Sequence, residues 1–92
     1  MSWKAPGSAT MGTASAQIVA ADPLRRALIL VNDSDSPIYI SQGQTAIVNK
    51  GIRLNANGGA YEHDVKKYGL PTGDFYGIST GSSKNLTVTE GY

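Results

Sequence analysis

Turn-forming clusters interrupt this chain so often that no stretch between them has room for a long helix. Asp22-Pro23, Asn32–Ser36, Gln42–Gln44, Asn55–Gly59, Lys66–Gly73 and Gly81–Lys84 are built from Gly, Pro, Asn, Asp, Ser and polar neighbours. Gly and Asn admit positive φ, Pro breaks hydrogen-bond ladders, and Asx and Ser side chains bond their own backbone. The segments left between these clusters are short. They alternate with period two or are briefly apolar throughout, which is the pattern of strands.

Ala14–Ala20 alternates small apolar and polar residues until Asp22-Pro23 ends it. Arg26–Asn32 carries the longest apolar run, Ala27–Val31, and reads as a central strand apolar on both faces. Pro37–Ser41 places Ile38 and Ile40 on one face and Tyr39 on the other. With Arg26–Asn32 it is expected to form a hairpin around the Asn-Asp-Ser-Asp-Ser loop. Thr45–Val48 reads as a weak strand, Gly51–Leu54 as another, and Ala60–Val65 as a returning strand with Tyr61, His63 and Val65 on one face. A short helix is conceivable over Val65–Tyr68, where Gly69 and Pro71 would stop it. Phe75–Thr80 is a strand in which Gly77 signals a bulge or a close backbone neighbour. Asn85–Glu90 alternates best, with Leu86 and Val88 inward and Thr87 and Thr89 outward. About eight short antiparallel strands at roughly 8–12-residue spacing predict an all-β fold, a compact β-sandwich or jelly-roll-like barrel, over residues 14–92.

Met1–Thr13 has no apolar period and is rich in Ser, Gly, Ala and Thr, so it is expected to be a flexible N-terminal arm. Trp3 beside Lys4 stands out in it, because a large ring left in water is costly and suits an anchor on another surface. Met1–Gly12 lacks the apolar region of a secretory signal, and none is expected.

Composition narrows the function. The chain has 92 residues, no Cys, one His and a net charge of +1. Thiol chemistry, Cys-ligated zinc and multi-His metal sites are therefore excluded. Near-neutral charge gives no footprint for nucleic acid or an anionic membrane, so neither is expected as a partner. The run Ala27–Val31 is far short of the roughly 20 apolar residues that span a bilayer. With the arm set aside, the folding unit is about 80 residues, near the size at which a single core is marginal, so association with a larger body is expected.

No constellation points to catalysis, and the chain is not expected to be an enzyme or to bind a cofactor. Asp33-x-Asp35 fails the EF-hand pattern, because Ile38 and Gln44 stand where Gly and Glu are needed. Glu62 and Asp64 flank His63 and share a strand face, which reads as a solvated face. As the single His, His63 is the first place to look for any pH-dependent assembly. Gly81–Lys84 lacks phosphate-loop spacing, and no Ser sits in a Gly-x-Ser-x-Gly elbow. Five Tyr, Phe75 and Trp3 supply interface chemistry instead. Tyr39 and Tyr76 lie opposite the apolar face and are expected to point outward, as a protein interface or a carbohydrate platform. Arg25-Arg26 and Lys66-Lys67 are expected to be solvated or paired across an interface. The candidate partner-binding residues are Trp3, Lys4, Tyr39, Tyr76, Lys66 and Lys67.

The run Arg26–Ile40 (RALILVNDSDSPIYI), the segment Asn49–Glu62 (NKGIRLNANGGAYE) and the ending Lys84–Gly91 (KNLTVTEG) resemble small all-β virion proteins of tailed bacteriophages. The resemblance spans Arg25–Tyr92 and excludes the arm. It implies a non-enzymatic structural part, first a capsid decoration (cement) protein made in the bacterial cytoplasm and placed on the outer surface of the phage head. The implied partners are the major capsid protein and copies of itself, as a dimer or trimer. The alternatives are a neck, tail or fibre-base component and, from another class, a glycan-binding module.

Overall fold

The computed structural model describes residues 1–92. Eight strands and one helical turn follow in chain order: β1 Gly7–Met11, β2 Ala16–Val19, β3 Ala27–Asn32, β4 Ile38–Gln42, β5 Ile52–Leu54, β6 Ala60–Glu62, α1 Val65–Tyr68, β7 Phe75–Ser79 and β8 Lys84–Gly91. They form two four-stranded antiparallel sheets, β1-β8-β3-β6 and β2-β7-β4-β5, which face each other as a sandwich.

The core lies between the sheets. Met11, Leu28, Leu30, Leu86 and Val88 come from the first sheet, and Ile38, Ile40, Leu54 and Phe75 from the second. These are the inward positions that period-two alternation assigns in β3, β4, β5 and β8. Gly77 on β7 has no side chain because Met11 and Ile18 press against it. A Cβ there would meet the Met11 Sδ at 2.5 Å and the Ile18 Cδ1 at 3.0 Å.

Several expectations need correction. Residues 1–13 are not a free arm. Gly7–Met11 pairs with β8 from Gly7↔Val88 to Met11↔Lys84, and Trp3 bridges Gly91. Only Ala9 and Met11 of this strand are even partly buried, so its small residues leave no hydrophobic period to read. The β3–β4 hairpin is also absent, because β3 and β4 lie in different sheets. Only β4 and β5 are joined within one sheet, and every other connection crosses between the two. Thr45–Val48 is a loop rather than a strand, and the returning strand β6 stops at Glu62, before Val65 enters α1. Asp64 caps that turn by accepting from the Lys66 and Lys67 amides.

One buried side chain ties two of these crossings, β3–β4 and β5–β6, to each other. Asn32 is fully buried at the end of β3. Its Nδ2 donates to Ser36 O at 2.8 Å and Leu54 O at 3.0 Å, and its Oδ1 accepts from the Ser34 hydroxyl at 2.6 Å. The backbone stacks the same two arches: Asn57 N donates to Ser34 O, Gly58 N to Asn32 O, and Asn32 N to Gly59 O. Gly59 is required there, since a Cβ would run into the Asn55 backbone.

Asn32→Ala removes three hydrogen bonds of a fully buried amide, worth about 1 kcal/mol each, and leaves Leu54 O without its Nδ2 donor, while Ser36 O keeps the Ser34 hydroxyl at 3.0 Å. Urea unfolding should show a loss of about 3 kcal/mol, whereas Asn85→Ala at the exposed arch should stay within about 0.5 kcal/mol. A loss below about 1 kcal/mol at Asn32 would remove it as the organiser of the arches.

Candidate functional site

The chain ends meet. Ser2 and Tyr92 exchange both backbone hydrogen bonds at 2.7 Å, and Lys4 N donates to Glu90 O at 3.0 Å. The β1–β8 pairing therefore continues past Pro6 to the termini, and it fixes Trp3 beside Gly91. Gly91 is what lets the ring sit close, since a Cβ there would lie 3.2 Å from Trp3 Cζ3 and 2.7 Å from Met1 Sδ. Trp3 remains 55 % exposed. Lys4 holds its ammonium 5.3 Å from the centre of the Tyr92 ring, a cation–π contact worth about 0.5–1 kcal/mol at an exposed site. Its pairing with Glu90, at 3.8 Å, is loose and solvent-screened. Ser2, Trp3, Lys4, Asp22 and Tyr92 line a shallow cavity of about 300 Å³.

Beneath this surface lies Arg25, which is buried rather than solvated as its doublet with Arg26 suggests. Nε donates to Glu90 Oε2 at 2.9 Å, Nη1 to the Pro71 and Gly73 carbonyls at 3.0 Å, and Nη2 to Ala20 O at 2.6 Å. The guanidinium thus satisfies three carbonyls from two loops and one carboxylate with a single rigid fork. Tyr92 completes the cluster. Its hydroxyl lies 2.6 Å from Asp22 Oδ2 and 3.2 Å from Glu90 Oε2. One hydroxyl proton cannot serve both, and the shorter distance gives it to Asp22. The hydrogen bond to Asp22, followed by burial and the Glu90 charge, pushes the Tyr92 hydroxyl from its ordinary 10.0 up to about 12. The same bond, with the Leu24 amide, holds Asp22 below the usual carboxylate value.

The other expected residues lie elsewhere. Tyr39 is on the outer face of the second sheet but is buried at 5 % exposure, against the expectation of an outward ring. The loop between β4 and β5 covers it. Ala46 and Val48 pack on Tyr39 and Ile78, Tyr39 donates to Asn49 Oδ1 at 2.9 Å, and Ser15 Oγ holds Ala46 N at 2.9 Å. Tyr76 is half-buried at the rim of the same cluster, with its hydroxyl on Asp74. Lys66 and Lys67 are exposed on α1 and form no salt bridge. The six residues therefore do not converge. Trp3 and Lys4 meet each other and gain Tyr92, Asp22, Glu90 and Arg25. Those four carry no local signal as a group, because Arg25 and Asp22 are joined to Glu90 and Tyr92 across 65 and 70 positions.

His63 is fully engaged. Nε2 faces the Gly69 carbonyl at 3.0 Å, which can only accept, so in the neutral ring Nε2 carries the hydrogen. Nδ1, 2.9 Å from the Tyr61 hydroxyl, then accepts from it, and Gln42 donates to the Tyr61 oxygen at 3.0 Å. The Tyr68 and Phe75 rings meet the imidazole edge to face. Burial, and secondarily Tyr68, raises the Tyr61 hydroxyl above its ordinary value, while the Gln42 bond opposes this.

Comparison with protein-family models, curated proteins and solved structures returns no match for this chain.

Two outcomes follow from the terminal cluster. Arg25→Lys should cost about 3–5 kcal/mol in denaturant unfolding, nearly as much as Arg25→Met, because one ammonium cannot reach acceptors spread around a fork. Tyr92 keeps its proton in the folded chain while the unfolded chain loses it near the ordinary 10.0. Its contribution is therefore complete below about pH 10 and disappears as the pH rises through about 12. Tyr92→Phe should flatten that alkaline decline and remove the late phenolate titration from the ultraviolet absorbance.

Proposed function

We propose that this protein is a non-enzymatic structural component of a phage particle, a decoration protein that binds junctions between capsid subunits and stabilises the head. The observation that carries the reading is Trp3, an aromatic ring held exposed on a paired strand end with Lys4 alongside. Large rings at the centre of interfaces supply much of the binding energy, and a ring fixed before binding avoids the ordering cost that a mobile arm would bear. The partners of this reading are the major capsid protein and copies of the chain itself.

Two further points support it. The sequence of Arg25–Tyr92 resembles phage virion proteins. The strand pairs β1–β8, β2–β7, β3–β6 and β4–β5 also favour describing the sandwich as a jelly roll, an architecture used in viral capsid domains and lectins. On a lattice, many copies turn a small contact into tight retention through avidity.

A neck, tail or fibre-base position is the second virion reading. Copy number separates the two: a shell protein is present in hundreds of copies, a ring or vertex protein in six, twelve or a few trimers. The glycan-binding alternative uses an outward Tyr39 and Tyr76; the β4–β5 loop covers Tyr39, and Tyr76 is half-buried.

Deleting Met1–Gly12 would remove β1 and bare the edge of β8, so Trp3→Ala is the discriminating variant. It should leave the thermal midpoint within a few degrees of the parent. Occupancy on particles stripped of the protein should fall about 30-fold, the equivalent of about 2 kcal/mol for an aromatic anchor. Unchanged occupancy would sink the role of Trp3 in attachment.

A further inference from the structure

The outer edge of β1 is a strand-pairing surface, and its alternation can be read from the bonds of its neighbour. Glu90 and Tyr92 turn their backbone groups toward the N-terminal strand, while Asn85 and Gly91 turn theirs toward β3. Even-numbered residues of β8 thus serve β1, and odd-numbered residues serve β3. In the register Gly7↔Val88, Ala9↔Leu86 and Met11↔Lys84, those three residues of β1 bond to β8. Ser8 and Thr10 direct their N–H and C=O groups away from the sheet, into solvent.

The other three sheet edges are defended. β6 has three residues, one of them Glu62, and is followed at once by α1. β5 has three residues, with Arg53 outward. β2 is broken by a register shift between Gln17 and Val19. Short length, charge and bulges are the devices that stop edges from pairing. Within Gly7–Met11 there is none of them: the segment is five residues, regular and uncharged, and the one-residue shift that separates it from the Trp3–Gly91 bridge lies before it at Ala5-Pro6.

We infer that β1 pairs antiparallel with β1 of a second copy of this chain, about a two-fold axis at Ala9. The register is self-complementary. Ser8 faces Thr10 of the second copy, and their outward groups form four backbone hydrogen bonds across the axis. Gly7 faces Met11, which sets the smallest residue against the largest. Ala9 faces Ala9 as a non-hydrogen-bonded pair, where Cα atoms approach to about 4.5 Å and a small side chain is needed. Pro6, which has no N–H, ends the ladder on one side. Five residues bury less than the roughly 1,200–2,000 Å² of a standard interface, so the dimer in solution is weak, with Kd on the order of 10–1,000 μM. This deepens the reading of a self-associating shell component but stands on the edge geometry alone.

The test uses the purified full chain with no particle present. Sedimentation up to about 1 mM should show a reversible dimer. Thr10→Pro removes an N–H that β8 does not use, a position where an edge strand tolerates Pro. It should keep the parent's circular dichroism and thermal midpoint while weakening the dimer at least about tenfold. Ala9→Cys gives an independent reading that does not rely on Thr10→Pro folding, because the parent has no Cys. Its Cα spacing across the axis falls within the roughly 4.4–6.8 Å range of disulfides, so mild oxidation should yield a covalent dimer. Thr89→Cys, on the outer face of the first sheet and away from the edge, should not cross-link under the same conditions. A parent that stays monomeric throughout, or a Thr10→Pro variant that dimerises as strongly as the parent, overturns the pairing. Either result leaves the Trp3 occupancy experiment free to succeed or fail separately.

Discussion

β8 forms backbone hydrogen bonds along both of its edges, to β1 on one side and β3 on the other, over eight residues. In a two-layer sandwich each strand turns one face to the core, and on β8 Leu86 and Val88 take the inward places. β1 depends on β8 directly: apart from Met11, which reaches the core, its small side chains bury little and backbone bonding holds it. The termini depend on β8 as well: Ser2, Trp3 and Lys4 are ordered by Glu90, Gly91 and Tyr92. The exposed position of Trp3 is therefore a consequence of the pairing of the last strand.

Two buried polar side chains do what disulfides or a metal do in many domains of this size. Asn32 ties together the β3–β4 and β5–β6 arches. Arg25 ties the β2–β3 turn, the loop before β7 and the end of β8. Each joins segments distant in the chain, and each satisfies carbonyls that would otherwise be buried without partners. The apolar core holds the sheets together face to face. These two residues tie four of the six connections that cross between them, and no buried side-chain polar atom in the chain lacks a partner.

The surface combines a pre-ordered aromatic end with an undefended edge, and the two lie on the same terminal strand. Trp3, Lys4 and Tyr92 offer ring faces and a cation at one end, while Ser8 and Thr10 offer unbonded backbone. A body built this way can meet one kind of partner through side chains and another through main chain. That suits the proposed role, a component that binds a lattice and its own copies together.

Local features were legible from residue order. Alternation in Asn85–Glu90, the apolar strand within Arg26–Asn32, the Asn55–Gly59 turn and the all-β class follow from side-chain period and turn chemistry, which act over a few residues. β1 was not legible, because Gly-Ser-Ala-Thr-Met pairs through its backbone and every residue type has the same backbone. The sheet joined by each strand was not legible either. A hairpin and an arch share the same loop chemistry, and the contacts that distinguish them, such as Asn32 to Leu54, join residues 22 positions apart. At the candidate site, Trp3 and Lys4 stood out as unusual residues in a polar segment. Their setting of Tyr92, Asp22, Glu90 and Arg25 came only with the closed sandwich, which brings the two ends of the chain together and buries a guanidinium between them.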